Sequence, residues 1–317
     1  MSDVVLLGLG GTISMHETPL GSVPSAAAAT VAQRLDGFGS AEDLALVGGS
    51  EVDFELLERL VARICEHVDS GVGGVVVTTG TDSIEEVAAW LSYRESWSVP
   101  VVVTGSMITG ARPDSDGAAN LGDALAVASS GADIDPVVVF GGKVFGGREV
   151  LKVSGVAREG FDAPGRGHLG IVVGGEVLWH RTQARRASHG APHGLLDPVS
   201  IVVAALGDDG AVLTYAATGK PAIVVAANGA GNLPPGQADA ATRLIDEGVL
   251  VVVTTRAPDA RVAPIYGYPG GVATLAARGA VLAPGLSPHR ARVLLTLGIS
   301  QGLDAAGLRS LVERETS

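Results

Sequence analysis

The sequence predicts an α/β protein of two domains, a larger N-terminal one with a mostly parallel sheet flanked by helices and a smaller C-terminal α/β one. Three observations predict it. Short β-branched runs alternate with segments of helical periodicity through the first half of the chain, the pattern of parallel strands covered by helices. Between about residues 141 and 198 the texture turns to glycine, proline and scattered basic residues, after which the alternation resumes. The third observation is size: 317 residues, 46% of them hydrophobic, suffice for one large core or two smaller ones. The 45 glycines against 4% aromatics fit many strand-end turns around a Val, Ala and Leu core.

In chain order, the apolar runs place strands at 4–9, 44–47, 74–78, 99–104 and 136–140. Phe54, Leu57, Leu60, Val61 and Ile64 recur at helical spacing after the second strand, and Ile84, Val87, Ala88 and Leu91 after the third. Residues 120–129 read as a further helix. Beyond 141 the expectation is irregular structure and then a linker, giving a catalytic domain over 1–184, a linker over 185–198 and a second domain over 199–317. The second block carries strands at 200–205, 222–226 and 250–254 and helices at 238–247, 270–278 and 288–299.

Charge and cysteine content narrow the partners. A formal net charge of -12 disfavours nucleic acid and anionic membrane surfaces and leaves small neutral or zwitterionic molecules. Cys65 is the single cysteine, so no internal disulfide forms. Residues 1–3 lead straight into a strand without a basic leader, and no apolar run reaches the ~18 residues of a spanning helix. A cytoplasmic protein is expected. No cofactor or metal is expected either. Gly8-Leu9-Gly10-Gly11 opens like a dinucleotide fingerprint but has Ile13 where the third glycine belongs. His189 and His193 stand four apart with Gly190 and Pro192 between them, which spoils a helical ligand pair. The Gly-x-Ser-x-Gly signature of serine hydrolases is absent.

Two threonines carry the chemical signal. Thr12 follows Leu7-Gly8-Leu9-Gly10-Gly11, and Thr81 follows Thr78-Thr79-Gly80, so each hydroxyl sits in a glycine turn at the carboxyl end of a strand. Open α/β sheets gather ligands there. Asp82 or Ser83 is placed to cap the next helix, with Glu85 and Glu86 as acidic residues of its first turn. Thr81 and the free amides of that helix start face one crevice, suited to a carboxylate or a developing oxyanion. Gly48-Gly49-Ser50-Glu51 forms another strand-to-helix turn, in which spacing favours Ser50 as a cap. Lys152 is by default a surface charge. Buried beside Thr81 and Asp82, it would feel desolvation and a carboxylate acting in opposite senses. Residues 14–25, polar and containing Gly and Pro, read as a lid or an ordinary surface loop.

Read together, these segments resemble the bacterial-type L-asparaginase family, whose members hydrolyse the side-chain amide of asparagine and sometimes glutamine. The resemblance covers nearly the whole chain. It rests on the ordered set Gly10-Gly11-Thr12-Ile13, Gly49-Ser50-Glu51, Thr79-Gly80-Thr81-Asp82-Ser83-Ile84-Glu85-Glu86, Val103-Thr104-Gly105-Ser106-Met107, Ser115-Asp116-Gly117-Ala118-Ala119-Asn120-Leu121 and Gly147-Arg148-Glu149-Val150-Leu151-Lys152. It implies Thr12 as the nucleophile of an acyl-enzyme, with Thr81, Lys152 and Asp82 as a supporting triad. Lys152 would take a proton from Thr81, while Asp82 orients the lysine and helps hold the substrate ammonium. Ser50 and Glu51 would bind the α-carboxylate and α-amino ends, and backbone amides at Gly11 and the Thr81 turn would face the oxyanion.

The resemblance also implies a homo-oligomer, a dimer or a tetramer of dimers, in which partners complete each site. Three features depart from the family pattern. No tyrosine precedes Tyr93, so the lid lacks the one that many members place near the nucleophile. Ala230 stands in Asn228-Gly229-Ala230-Gly231-Asn232 where some relatives have asparagine, and Arg261-Val262-Ala263-Pro264 lacks an acidic residue found in some. Two other functions share these residues. A glutamine-hydrolysing subunit of a tRNA-dependent amidotransferase usually carries an extra N-terminal domain, and a non-catalytic amino-acid sensor would bind without ammonia release.

Overall fold

The computed structural model describes residues 3–33, 35–181, 183 and 185–316. The predicted domain limits at 1, 184 and 317 lie outside the described residues. The chain divides into two compact units, Met1–Gly190 and Ala191–Ser317.

The first unit contains strands β1 (Val4–Gly10), β2 (Met15–Thr18), β3 (Gly21–Pro24), β4 (Phe38–Val47), β5 (Gly74–Thr78), β6 (Val101–Thr104), β7 (Val137–Phe140), β8 (Lys143–Gly146), β9 (Leu151–Lys152), β10 (Phe161–Asp162), β11 (Gly170–Val173) and β12 (Glu176–Trp179). Its helices are α1 (Ala28–Ala32), α2 (Phe54–Asp69), α3 (Ile84–Arg94) and α4 (Gly117–Ala128). One eight-stranded sheet runs β12-β11-β8-β7-β6-β5-β1-β4. β4, β1, β5, β6 and β7 are mutually parallel, and β8, β11 and β12 continue the sheet antiparallel. β1 lies between β4 and β5, so the chain runs from β1 out to the β4 edge and then crosses back to β5 on the other side of β1. That makes the carboxyl ends of these three strands the switch point at which α/β sheets open a crevice.

Strand β4 starts six residues before the predicted one, over Phe38-Gly39-Ser40-Ala41-Glu42-Asp43. This stretch is polar because β4 is the sheet's edge and is only partly covered. The region after 141 is also more regular than its composition suggests. Gly141 and Gly142 both have positive φ and join β7 to β8, with Phe140 paired to Lys143. Gly174 and Gly175 do the same between Val173 and Glu176. These glycine pairs are therefore corners of two-residue hairpins.

Helix α2 begins at Asp53, whose Oδ1 accepts from the Leu56 amide at 2.8 Å, and buries Leu56, Leu57, Leu60, Val61 and Ile64 on one stripe. Helix α4 lays Leu121, Ala124, Val127 and Ala128 against Val4, Leu6, Val76, Val102, Val137 and Val139 of the sheet. Buried Asp135 precedes β7 and accepts from the Arg186 amide at 3.2 Å. Burial pushes its carboxyl above the usual range, against that hydrogen bond and the nearby arginines Arg148, Arg185 and Arg186. The folded chain thus binds this proton more tightly than the unfolded one, and stability falls as pH rises from the ordinary carboxylate pKa through the raised one. Asp135→Asn, which keeps an acceptor for Arg186, is expected to raise the melting temperature at neutral pH. The gain should vanish below the ordinary carboxylate range in a calorimetric pH series.

The second unit has strands β13 (Ile201–Val203), β14 (Ala222–Ala227), β15 (Leu250–Thr255) and β16 (Val281–Leu282), all parallel and ordered as in the chain. Helices α5 (Ala211–Ala216), α6 (Pro235–Asp246), α7 (Val272–Arg278), α8 (Pro288–Ser300) and α9 (Ala305–Thr316) accompany them. α5, β16 and α9 add to the sequence expectation. α9 buries Leu308, Leu311 and Val312 at helical spacing. None of the described helices is long and apolar enough to cross a membrane.

Candidate active site

Three glycine turns at the switch point pack backbone on backbone. A Cβ on Gly11 would lie 2.3 Å from the Gly80 amide nitrogen, and one on Gly80 would lie 2.4 Å from the Gly49 Cα. Gly11 also has φ +80°, and its amide donates to Val47 O at 2.9 Å across to β4. Only residues without side chains allow this approach. The turns carrying Thr12, Ser50 with Glu51, and Thr81 with Asp82 are thereby held side by side. Because the Gly11 amide already has an acceptor, Gly11 serves here by its missing Cβ.

Lys152 reaches the same place by a different route. Gly147 fits against Ala88 O, Ser92 Oγ and Pro136 O, where a Cβ would lie 2.7–3.0 Å from each. Arg148 donates to Ser92 O near the end of α3, and the Lys152 amide donates at 3.0 Å to Oε2 of Glu85 in its first turn. The segment thus runs back along α3 and delivers Lys152 to the turn that precedes the helix. There its Nζ donates to Thr81 Oγ1 at 2.8 Å and to Asp82 Oδ1 at 2.7 Å. Thr81 is 7% exposed; the Lys152 and Asp82 side chains are 19% and 69% exposed. An ion pair with one end so open is worth little to stability, which leaves position as its main effect.

Several predicted local roles change. Ser83 occupies the start of α3, but its Oγ bonds Gly80 O at 3.3 Å and makes no cap hydrogen bond to the helix. Asp82 turns to Lys152 instead. Asp53, not Ser50, caps α2. Ser50 and Glu51 are exposed, and Glu51 Oε2 accepts from the Gly48 amide at 2.7 Å, which fixes the turn. Within residues 14–25, expected as a lid or an ordinary surface loop, Met15–Thr18 and Gly21–Pro24 form the β2–β3 hairpin, with Met15 opposite Pro24 and His16 Nδ1 2.7 Å from Ser25 Oγ. In the second unit Asn232 Oδ1 accepts from the Val272 amide at 3.2 Å, a structural task.

The loop beside Thr12 has an organiser whose role the sequence alone did not mark. Asp116 accepts from Ser106 Oγ at 2.7 Å, from the Met107 and Ile108 amides at 3.0 and 2.9 Å, and from Asn120 Nδ2 at 3.1 Å. Within this loop the Gly110 amide donates to Thr12 O at 3.2 Å. The signal available was Asp116 and Asn120 one helical turn apart after a serine. Since hydrogen bonds to a charged group are worth about 1.5–3 kcal/mol each and are not additive, Asp116→Ala is expected to cost about 3 kcal/mol in urea unfolding. Among the described residues no group of three or more His, Cys, Asp or Glu side chains could hold a metal.

The site therefore offers the hydroxyls of Thr12, Ser50 and Thr81, the Lys152 ammonium bonded to the last of them, and two carboxylates around one set of turns. Comparison with known proteins agrees with that content. Residues 3–185 match the family model described as Asparaginase, N-terminal, and residues 198–312 match that of the Glutaminase/Asparaginase C-terminal domain. The chain is 35% identical to the Probable L-asparaginase of Deinococcus radiodurans, covering 78% of each chain. It is 31% identical to the L-asparaginase of Bacillus licheniformis, over 93% of this chain and 94% of that one. A solved structure, the Probable Cytoplasmic L-asparaginase from Campylobacter jejuni, superimposes with a TM-score of 0.88 at 27% identity, covering 99% of both chains. With both units matched and one relative at 35% identity, the chain belongs to the asparaginase family.

Proposed function

We propose that this chain hydrolyses the side-chain amide of L-asparagine to L-aspartate and ammonia through an ester formed on Thr12. The observation that carries the proposal is the bonding of Lys152 Nζ to both Thr81 Oγ1 and Asp82 Oδ1, on a turn locked against that of Thr12.

Thr12 Oγ attacks the amide carbon, the C–N bond breaks, and the hydroxyl proton leaves with the amide nitrogen as ammonia. Water then attacks the ester, aspartate departs, and a proton returns to Thr12. Two lower barriers replace one, provided a base within hydrogen-bond reach handles the protons. Lys152 reaches Thr81 rather than Thr12, so the Thr81–Lys152 pair is the proton carrier, with Asp82 orienting the lysine. Amides of the Thr81 turn face the developing oxyanion, where one well-placed donor contributes about 3 kcal/mol. Ser50 receives the α-carboxylate, and Glu51 with Asp82 the α-ammonium.

Asparagine and glutamine differ by one methylene, which a pocket separates by only about 1–3 kcal/mol, so a lesser glutaminase activity accompanies this reading. A homo-oligomer and a cytoplasmic location go with it. A coupled ammonia assay on L-asparagine, L-glutamine and D-asparagine tests the proposal. Tight binding of L-asparagine in calorimetry without ammonia release would replace it with a sensor.

A further inference from the structure

We propose that Glu85 is a positioning residue for this chemistry, its carboxylate fixing the backbone of Lys152 so that the ammonium meets Thr81 and Asp82. The inference rests on the reading of Lys152 as proton carrier. Glu85 is buried and receives the Lys152 amide on Oε2 at 3.0 Å. It stands in the first turn of α3, directly after the turn that carries Thr81 and Asp82. One helix start therefore holds both halves of the triad, two members by covalent connection and the third through this side chain.

The neighbouring support is a short run of backbone bonds, the β9–β10 pairing and, just after it, the Val153 and Ser154 amides donating to Gly160 O at 2.8 and 3.1 Å. β9 has two residues and pairs with β10 alone, Lys152 opposite Phe161 and Leu151 opposite Asp162. A ladder of that length is marginal by itself. Lysine has a long flexible stem, so the location of its ammonium depends on where the Cα is held. A buried carboxylate is costly without hydrogen-bonded partners, and the Lys152 amide is one of them.

The simpler reading makes Glu85 only an acidic residue complementing the positive end of α3. The two readings diverge on substitution. Aspartate keeps the charge but is one methylene too short to reach the amide, whereas glutamine loses the charge and keeps a carbonyl acceptor at full reach. We therefore compare Glu85→Asp, Glu85→Gln and Glu85→Ala, measuring kcat and KM on L-asparagine and hydrogen exchange at the Lys152 amide.

The Asp and Ala variants are expected to lose about 30-fold or more in kcat, since an ångström of misplacement can cost up to about 100-fold. KM should change less than about 3-fold, as it does when ground-state binding is spared. Lys152 amide exchange should quicken about 10-fold or more in the same variants. Glutamine should recover most of the lost kcat and of the protection. A functional Asp variant beside an impaired Gln variant, unchanged exchange in Glu85→Asp, or loss of fold in both the Asp and Gln variants would overturn the proposal. Should Glu85→Ala alone fail to fold, the Asp and Gln pair decides. If the unmodified chain releases no ammonia, the functional reading fails, and exchange at Lys152 still reports whether Glu85 holds that strand.

Discussion

Thr12→Ala is expected to lower ammonia release from L-asparagine by about 10^4-fold or more, because in the proposed mechanism its hydroxyl is the group that takes the acyl chain. Thr81→Ala is expected to lose about 10^3-fold, within the range set by removal of general acid–base catalysis. Thr12→Ala, at a half-buried position, should unfold within a degree or two of the unmodified chain, whereas Thr81→Ala removes a buried hydroxyl and the Lys152 bond and should unfold somewhat lower, so its rate is compared at a temperature where it is folded. The Lys152 bond to Thr81 adds a sharper expectation: the two act as one unit, so Thr81→Ala combined with Lys152→Ala should fall little below the worse single variant. Purely additive losses would separate the two groups. A mass-spectrometric search of acid-quenched protein should find the ester on the peptide containing Thr12. Recovery of that ester on the Thr81 peptide would exchange the two roles, because Thr81 is the hydroxyl that Lys152 touches.

Much of this centre was legible in the sequence because it is built from consecutive residues in strand-end turns. Thr12 and Thr81 each announce a β-branched run, a glycine and a hydroxyl, and parallel neighbours bring such turns together. Lys152 was legible only through the family resemblance, since its path along α3 depends on Gly147 fitting against Ala88 O and Ser92 Oγ. Glu85 read as a helix-start charge, and nothing in its spacing points to an amide 67 residues later. Asp116 was hidden in a similar way, because three of its donors lie eight to ten residues upstream in a loop.

Outside the site, alternation marked the buried parallel strands and missed the antiparallel ones beyond β7. There Gly-Gly pairs make hairpin corners, and three short strands have too few residues for a period to stand out. α9 escaped for a different reason: its apolar stripe is only Leu308, Leu311 and Val312 among charged residues.

Gly80→Ala is expected to damage activity severely although it removes none of the side chains proposed to act in catalysis. Gly80 has no positive φ, so backbone strain is not the cause. The cause is contact: the new methyl would sit 2.4 Å from Gly49 Cα and 2.5 Å from Gly49 N, both main-chain atoms with no rotamer to escape into. Either the Thr81 turn or the Ser50–Glu51 turn must therefore move by about an ångström, a displacement that costs up to about 100-fold when it separates reacting groups. Overpacking of this kind also destabilises by about 1–3 kcal/mol. The expected result is a fall of about 100-fold in kcat/KM together with a lowered urea midpoint. Gly155→Ala is the control, since its Cβ meets nothing within 4 Å and its φ is not positive, so midpoint and rate should stay unchanged. If Gly80→Ala lost only stability and kept its rate at low temperature, the turns would not be holding the hydroxyls and the ammonium in register. The alignment would then have to come from the side-chain hydrogen bonds alone, from Lys152 to Thr81 and Asp82.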